Sequence, residues 1–266
     1  MTDWLATCRA AVEDVRAVLG DMPAREDRER IVGLGLGGDD TTAIDAAAEN
    51  AVVARLERSL DSFILVSEEL GKKHFGGGEG PCVVLDPIDG SLNAKRSLPH
   101  FSLSLAVADG LSMGDVVFGY VYDFGSGEEW TAAHGEGARL DGVALGDERP
   151  KDRIEILAFE GTTTTSIAER APAVVGVARR LRIMGSLALA LCQLGAGRVD
   201  AVCSLKAARS VDIAAAQLLL RECGVAIELF ESPPLEEAPL DLVGRSRVVA
   251  AATPELCDRL ATALSG

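Results

Sequence analysis

Two aspartates three positions apart, Asp86 and Asp89, fall in the run Val83-Val84-Leu85-Asp86-Pro87-Ile88-Asp89-Gly90-Ser91. Cys82 to Leu85 is short, apolar and rich in β-branched residues, so it reads as a buried strand, and Pro87 and Gly90 predict a turn immediately after it. Both carboxylates are then expected to face one pocket at the strand's end. A hard cation such as Mg²⁺ takes carboxylate and carbonyl oxygens, and an Asp-x-x-Asp turn offers both side chains plus the Ile88 carbonyl between them. Gly90 lets backbone N–H groups approach an anion on the far side of the cation. The same residue types also describe an ordinary type I turn, which Pro and Gly favour for backbone reasons alone.

Two further acidic positions share this placement. Ser67-Glu68-Glu69-Leu70-Gly71 follows the apolar run Phe63-Ile64-Leu65-Val66. Arg209-Ser210-Val211-Asp212 opens an Ala/Leu-rich segment that closes at Gly224, the pattern of a helix with an acidic start and a glycine stop. Three separated acidic positions at element ends can converge on one metal cluster.

The elements that would hold them are legible from periodicity. Trp4, Leu5, Cys8, Val12, Val15 and Leu19 form a helical stripe that starts after Thr2 and ends at Gly20. A second helix is expected from about Thr42 to Leu60, with Ile44, Ala48, Val52 and Leu56 on one face. Strands alternate with turns from Phe63 to about Trp130, including Leu103–Val107 and Val116–Tyr122 as sheet neighbours. Gly76–Gly80 reads as a flexible loop that takes in His74, and with no basic residue inside it is not expected to cradle phosphate. The polar stretch Gly146–Arg153 marks a subdomain boundary, dividing 1–148 from 149–266. Beyond it come a helix over Met184–Leu194, a strand over Val199–Val202, a helix over Asp212–Arg221, a strand over Val248–Ala252, and a terminal helix capped by Thr253-Pro254-Glu255. The fold class is α/β (α+β), an antiparallel-sheet half followed by a mixed α/β half.

Composition limits the partners. The chain has 266 residues, is 48% hydrophobic and carries a formal charge of −15. That charge disfavours nucleic acid and anionic membranes as partners. No apolar run approaches the ~18 to 20 residues needed to span a bilayer. The start Met1-Thr2-Asp3-Trp4 lacks a basic, apolar leader, so a cytoplasmic location is expected. Six scattered cysteines with no Cys-x-x-Cys pair are expected to be reduced core residues. The negative charge would repel a phosphorylated substrate as well, and bound Mg²⁺ would reverse that field locally.

Together Ser67-Glu68-Glu69, Asp86-Pro87-Ile88-Asp89-Gly90-Ser91, Gly185-Ser186, Val211-Asp212-Ile213-Ala214-Ala215 and Glu222-Cys223-Gly224 resemble, in order and spacing over nearly the whole chain, the inositol monophosphatase family. That family belongs to the Mg²⁺-dependent, lithium-sensitive sugar phosphatases, which include the fructose-1,6-bisphosphatases. Asn93-Ala94-Lys95-Arg96 looks more like the archaeal-type dual inositol/fructose phosphatases than the animal enzymes. The resemblance implies a layered αβαβα sandwich and a homodimer. It implies Glu68, Asp86, the Ile88 carbonyl, Asp89 and Asp212 as metal ligands, with Glu68 and Asp86 around the ion that activates the attacking water. Ser91, in place of the commoner Thr, and Asp45 would form the hydrogen-bonded pair that orients and deprotonates that water. Without the resemblance, Asp45 reads as a first-turn helix residue favoured by the macrodipole.

Phosphate is expected on the backbone N–H groups of Gly90 and Ser91, if Ser91 opens a short helix. Glu69 is expected to orient Glu68 or a bound water. Ser186 lies, by resemblance, near the substrate hydroxyls, and is also simply a helix cap. Where animal-type enzymes carry an acidic residue before the Asp212 position, this chain has Ser204-Leu205-Lys206-Ala207-Ala208-Arg209. Lys206 and Arg209, with Lys95 and Arg96, are therefore either surface charges or a clamp for a second phosphate. His74, His100 and His134 receive no catalytic role. The expected reaction is hydrolysis of inositol 1-phosphate by in-line attack of water, with fructose 1,6-bisphosphate as the rival substrate. Phosphoadenosine phosphate and histidinol phosphate remain within the same fold's range, and a noncatalytic Mg²⁺ or phosphometabolite binder is the alternative of another class.

Overall fold

The computed structural model describes residues 2–36, 40–146, 152–161, 163–231 and 233–265. Helix α1 (Trp4–Asp21) is capped by Asp3, whose carboxylate accepts the Ala6 N–H at 3.0 Å, and it runs through Gly20 rather than stopping there. The short α2 (Arg25–Glu29) leads to a two-stranded hairpin, β1 (Ile31–Leu34) and β2 (Asp40–Thr42), and then α3 (Ala43–Ser59). Next come β3 (Phe63–Ser67), β4 (Gly71–Phe75), β5 (Cys82–Asp89), α4 (Ser91–Lys95), β6 (Ser102–Ala108), β7 (Val116–Asp123), β8 (Glu129–Ala133), β9 (Gly137–Leu140) and β10 (Val143–Ala144). His74 thus stands in a strand, not in the glycine loop that follows. The remaining elements are β11 (Ile154–Glu160), α5 (Thr164–Arg170), β12 (Ala178–Arg182), α6 (Leu187–Gly195), β13 (Ala201–Ser204), α7 (Ser210–Glu222), β14 (Ala226–Leu229), β15 (Val248–Ala251) and α8 (Pro254–Leu264).

The larger sheet has the order β10-β9-β8-β7-β6-β5-β3-β4 and is antiparallel except at the β3–β5 pair; the smaller, β12-β11-β13-β15-β14, is mixed. Helices α1 and α3 cover one face of the larger sheet, α6 and α7 lie between the two sheets, and α8 backs the smaller one. This is the αβαβα layering expected. Residues 147–151, the centre of the expected boundary, lie outside the described residues.

Strand alternation decides where the acidic residues point. In β5, Val83 and Leu85 enter the core under α1 and α3, while Cys82 and Val84 enter the core around α6 and α7. In β3, Phe63 and Leu65 take the first face and Ile64 and Val66 the second. Side chains two apart share a face, so Asp86 and Glu68 continue the rows that look toward the helical layer between the sheets. The odd-numbered Ser67 looks the other way, and its hydroxyl donates to Glu49 Oε1 on α3 at 2.8 Å.

Pro87 does not end the strand. Strand β5 continues to Asp89 with a break in pairing between Asp86 and Asp89, because proline costs a ladder N–H that an irregularity can spare. The turn comes at Gly90, whose φ of +95° suits only glycine. In the core, α7 lies so close on β7 that a Cβ at Gly119 would stand 2.6 Å from the Ala215 carbonyl oxygen. All six cysteines are free thiols, five of them buried. Among the described residues no helix is long and apolar enough to cross a membrane.

Candidate active site

A cavity of about 270 Å³ opens where β3 and β5 end. Six carboxylates line it (Asp40, Asp45, Glu68, Glu69, Asp86 and Asp89) against three cationic side chains, Lys95, Lys206 and Arg209. Burial is the main force on the inner acids. It pushes Asp89 up to about 7, carries Asp86 well above the usual carboxylate range with help from Glu68 and Asp89, and raises Glu68. A pocket that holds acids in this way has its strongest attraction for a cation.

Each acid has a local anchor. Asp86 Oδ1 accepts the Ile88 N–H at 3.0 Å. Asp89 Oδ2 accepts the Ser186 hydroxyl at 2.5 Å and the Ala188 N–H at 2.8 Å, so it shares the N-terminus of α6 with Ser186, the N-cap. That helix begins at Leu187 and not at Met184, because Gly185 has a left-handed φ of +88°. Ser186 is 1% exposed and its hydroxyl is committed to Asp89 and to the cap. Asp212 is not the N-cap of α7: Arg209 is, and Asp212, three residues on, reaches back to the Arg209 N–H at 2.7 Å.

Arg209 is turned into the acidic cluster. Its Nη1 lies 2.5 Å from Glu68 Oε1 and its Nη2 3.0 Å from Asp212 Oδ1. Among the described residues no three acidic, histidine or cysteine side chains already stand around one point as a metal cage. The donor set is nevertheless all oxygen, as a hard divalent cation requires, and the cluster of raised acids is the kind of field such an ion relieves. A cation bound between Glu68 and Asp212 would replace the guanidinium that bridges them here.

The expected Ser91–Asp45 hydrogen bond is not formed. The Ser91 hydroxyl donates to the Ile88 carbonyl at 3.0 Å, while Asp45 Oδ2 accepts the Thr42 hydroxyl at 2.5 Å and faces Lys95 Nζ at 3.1 Å. Both residues still line the one cavity. Glu69 accepts the Thr41 hydroxyl, and Arg96 approaches Glu29 at 3.7 Å on the surface, away from Lys95's partner.

A second cavity of about 410 Å³ shares Asp89, Leu92, Gly185 and Lys206 with the first, and Glu160 and Asp212 also line it. Glu160, which lines this cavity, and Glu49, which supports the site from α3, are residues that the motif reading passed over. Glu160, 1% exposed, accepts the Met184 and Gly185 N–H groups at 2.9 and 2.8 Å and so sets the loop beside Gly90. Glu49 holds the Glu69 and Leu70 N–H groups at 3.0 and 2.8 Å, fixing the turn that carries Glu68. Glu160-Gly161 after an apolar strand repeats the signal that singled out Glu68. Glu49, one turn after Asp45 on an otherwise apolar helical face, was the other available clue.

An acidic pocket whose candidate cation donors are all oxygens, at the ends of two strands and flanked by the N-termini of two helices in an αβαβα sandwich, has the make-up of a phosphatase-type site. The chain belongs to the inositol monophosphatase family, whose model matches residues 5–266. It is 32% identical to a fructose-1,6-bisphosphatase/inositol-1-monophosphatase of Methanothermobacter thermautotrophicus over 97% of this chain and 95% of that protein. It is 27% identical to a bifunctional NADP phosphatase/NAD kinase of Methanococcus maripaludis, over 99% of this chain but 49% of that protein. A crystal structure of an inositol monophosphatase–fructose 1,6-bisphosphatase superposes with a TM-score of 0.85 at 26% identity, covering 99% and 100% of the two chains. The chain is therefore a phosphoric monoester hydrolase acting on sugar phosphates.

Proposed function

We propose that this phosphatase is Mg²⁺-dependent and hydrolyses both inositol 1-phosphate and fructose 1,6-bisphosphate. The observation that carries this reading is the pair of adjoining cavities, one acidic enough for cations and phosphate, the other large enough for the body of a sugar or polyol. Glu68, Asp86, Asp89, Asp212 and the Ile88 carbonyl would hold Mg²⁺, which neutralises charge on the phosphoryl oxygens and activates water. Gly90 and Ser91 offer backbone N–H groups to the phosphate, Ser91 orients the attacking water, and Asp45 takes its proton. Lys206, which lines both cavities, would pair with the second phosphate of the bisphosphate.

The direct test is phosphate release with Mg²⁺ from inositol 1-phosphate, fructose 1,6-bisphosphate and NADP at matched concentrations. Turnover of the first two supports the reading. Release from NADP alone would place the chain's activity with the bifunctional relatives, and release from none would sink it.

The acids also make ion binding visible without turnover. Free carboxylates ionise at about 4, whereas Asp89 is held up to about 7 by burial. Between those values the folded protein binds more protons than the unfolded chain, so its stability without Mg²⁺ falls as pH rises through that window. Mg²⁺ binds the ionised form. Its addition should therefore raise the Tm more at about pH 8 than at about pH 5.5, as read by thermal shift. Equal shifts at the two pH values would count against these acids as the ligands.

A further inference from the structure

Lys95, one of the cations offered by the sequence as a surface charge or phosphate clamp, is left out of the ion and phosphate roles just proposed. It is the last residue of α4, four after Ser91, so the two side chains leave the same face of that turn. Its Nζ lies 3.1 Å from Asp45 Oδ2, the oxygen that also accepts the Thr42 hydroxyl at 2.5 Å. The other oxygen, Asp45 Oδ1, is buried and has no partner. The pair is largely out of water, with the side chains 16% and 9% exposed. Arg96, the next residue, is 50% exposed in its contact with Glu29 and makes only a surface approach.

A desolvated ion pair persists only where its geometry is good, and it then holds both groups in place. Two donors on Oδ2 fix the plane of the carboxylate and leave Oδ1 as the oxygen with its acceptor capacity unfilled. We infer that Lys95 is a positioning residue: together with the Thr42 hydroxyl its ammonium locks Asp45 through Oδ2, so that Oδ1 is the atom left to accept the Ser91 hydroxyl, through which the water's proton would reach Asp45. This rests on the reading of Asp45 as the proton acceptor. The charge on Lys95 is the feature that matters, because a neutral side chain of the same length would fill the space without holding the carboxylate.

The test compares Lys95→Met, which keeps the stem and removes the charge, with Lys95→Arg, which keeps the charge, in the full chain at saturating Mg²⁺. On whichever ester is turned over, Lys95→Met should lower kcat by about 10- to 100-fold, the cost of a misplaced catalytic group. KM should stay within about twofold, and Lys95→Arg should recover most of kcat. Mg²⁺ binding measured by calorimetry should be unchanged in both. Wild-type kcat in Lys95→Met overturns the inference, as does a rise confined to KM, which would make Lys95 a phosphate contact. A weakened Mg²⁺ isotherm also overturns it by moving Lys95 into the ion site. The ¹³C shift of the Asp45 carboxyl needs no turnover: it should move in Lys95→Met and return in Lys95→Arg, and an unmoved signal overturns the inference even if the substrates above prove wrong. A parent inactive on every ester, with the shift responding as expected, would instead count against the proton-acceptor reading alone.

Discussion

Asp89→Asn is expected to reduce Mg²⁺-dependent phosphate release by about three orders of magnitude, since an ion's stabilisation of phosphoryl charge is worth several kcal/mol and each ~1.4 kcal/mol is tenfold in rate. The fold should survive the change. An asparagine oxygen can accept the same Ser186 hydroxyl and Ala188 N–H that Asp89 Oδ2 accepts. The substitution also removes a charge that burial penalises, so without Mg²⁺ at about pH 8 the variant's Tm should equal or exceed that of the parent. Steady-state kinetics and thermal melts with and without Mg²⁺ check both halves. Undiminished release would show that Asp89 holds no ion. A parent that never releases phosphate, yet gains stability from Mg²⁺, would favour the noncatalytic binder.

Asp45→Asn should lower kcat by about 10²- to 10⁴-fold, the range that a positioned general base contributes. Here stability should fall too. Lys95 is 16% exposed and faces Asp45 at 3.1 Å, so the asparagine leaves an ammonium short of its counter-charge, at a cost of about 1–3 kcal/mol. Mg²⁺ binding should persist, because Asp45 is not among the proposed ligands. A kcat within about tenfold of the parent, at saturating substrate and Mg²⁺, would remove Asp45 from the proton path.

The ends of strands were the part of this chain most legible from its residues. An apolar run followed by acids located Glu68, Asp86 and Asp89, and the Ala/Leu helix located Asp212, because strand and helix periods are local properties. What periodicity could not supply was side-chain partnership across the layers. Arg209 read either as a surface charge or as a clamp for a second phosphate, and the structure turns it between Glu68 and Asp212. Lys95 read the same way, and it pairs with Asp45. Long flexible cations go where the local field takes them, and that field is set by residues far apart in sequence. Ser186 illustrates the converse. Its role as a cap was visible locally, but its hydrogen bond to Asp89, 97 positions away, depends on stacking two sheets over one pair of helices.

Boundaries erred where backbone chemistry overrode the apolar pattern. Pro87 reads as a stop, yet β5 absorbs it in an irregularity and turns only at Gly90. Strand β1, with Ile31, Val32 and Leu34 at least half exposed, carries no buried face from which a strand could be read.

The bare backbone at Gly119 bears on the site from a distance. Helix α7 rests on β7 there, with the Ala215 carbonyl where a side chain would otherwise begin, and Asp212 stands one turn earlier on the same helix. That missing methyl therefore acts as a gauge block. It sets the gap between helix and sheet, and through that gap how far the Asp212 carboxylate reaches toward Asp86 and Glu68, although Gly119 touches none of them.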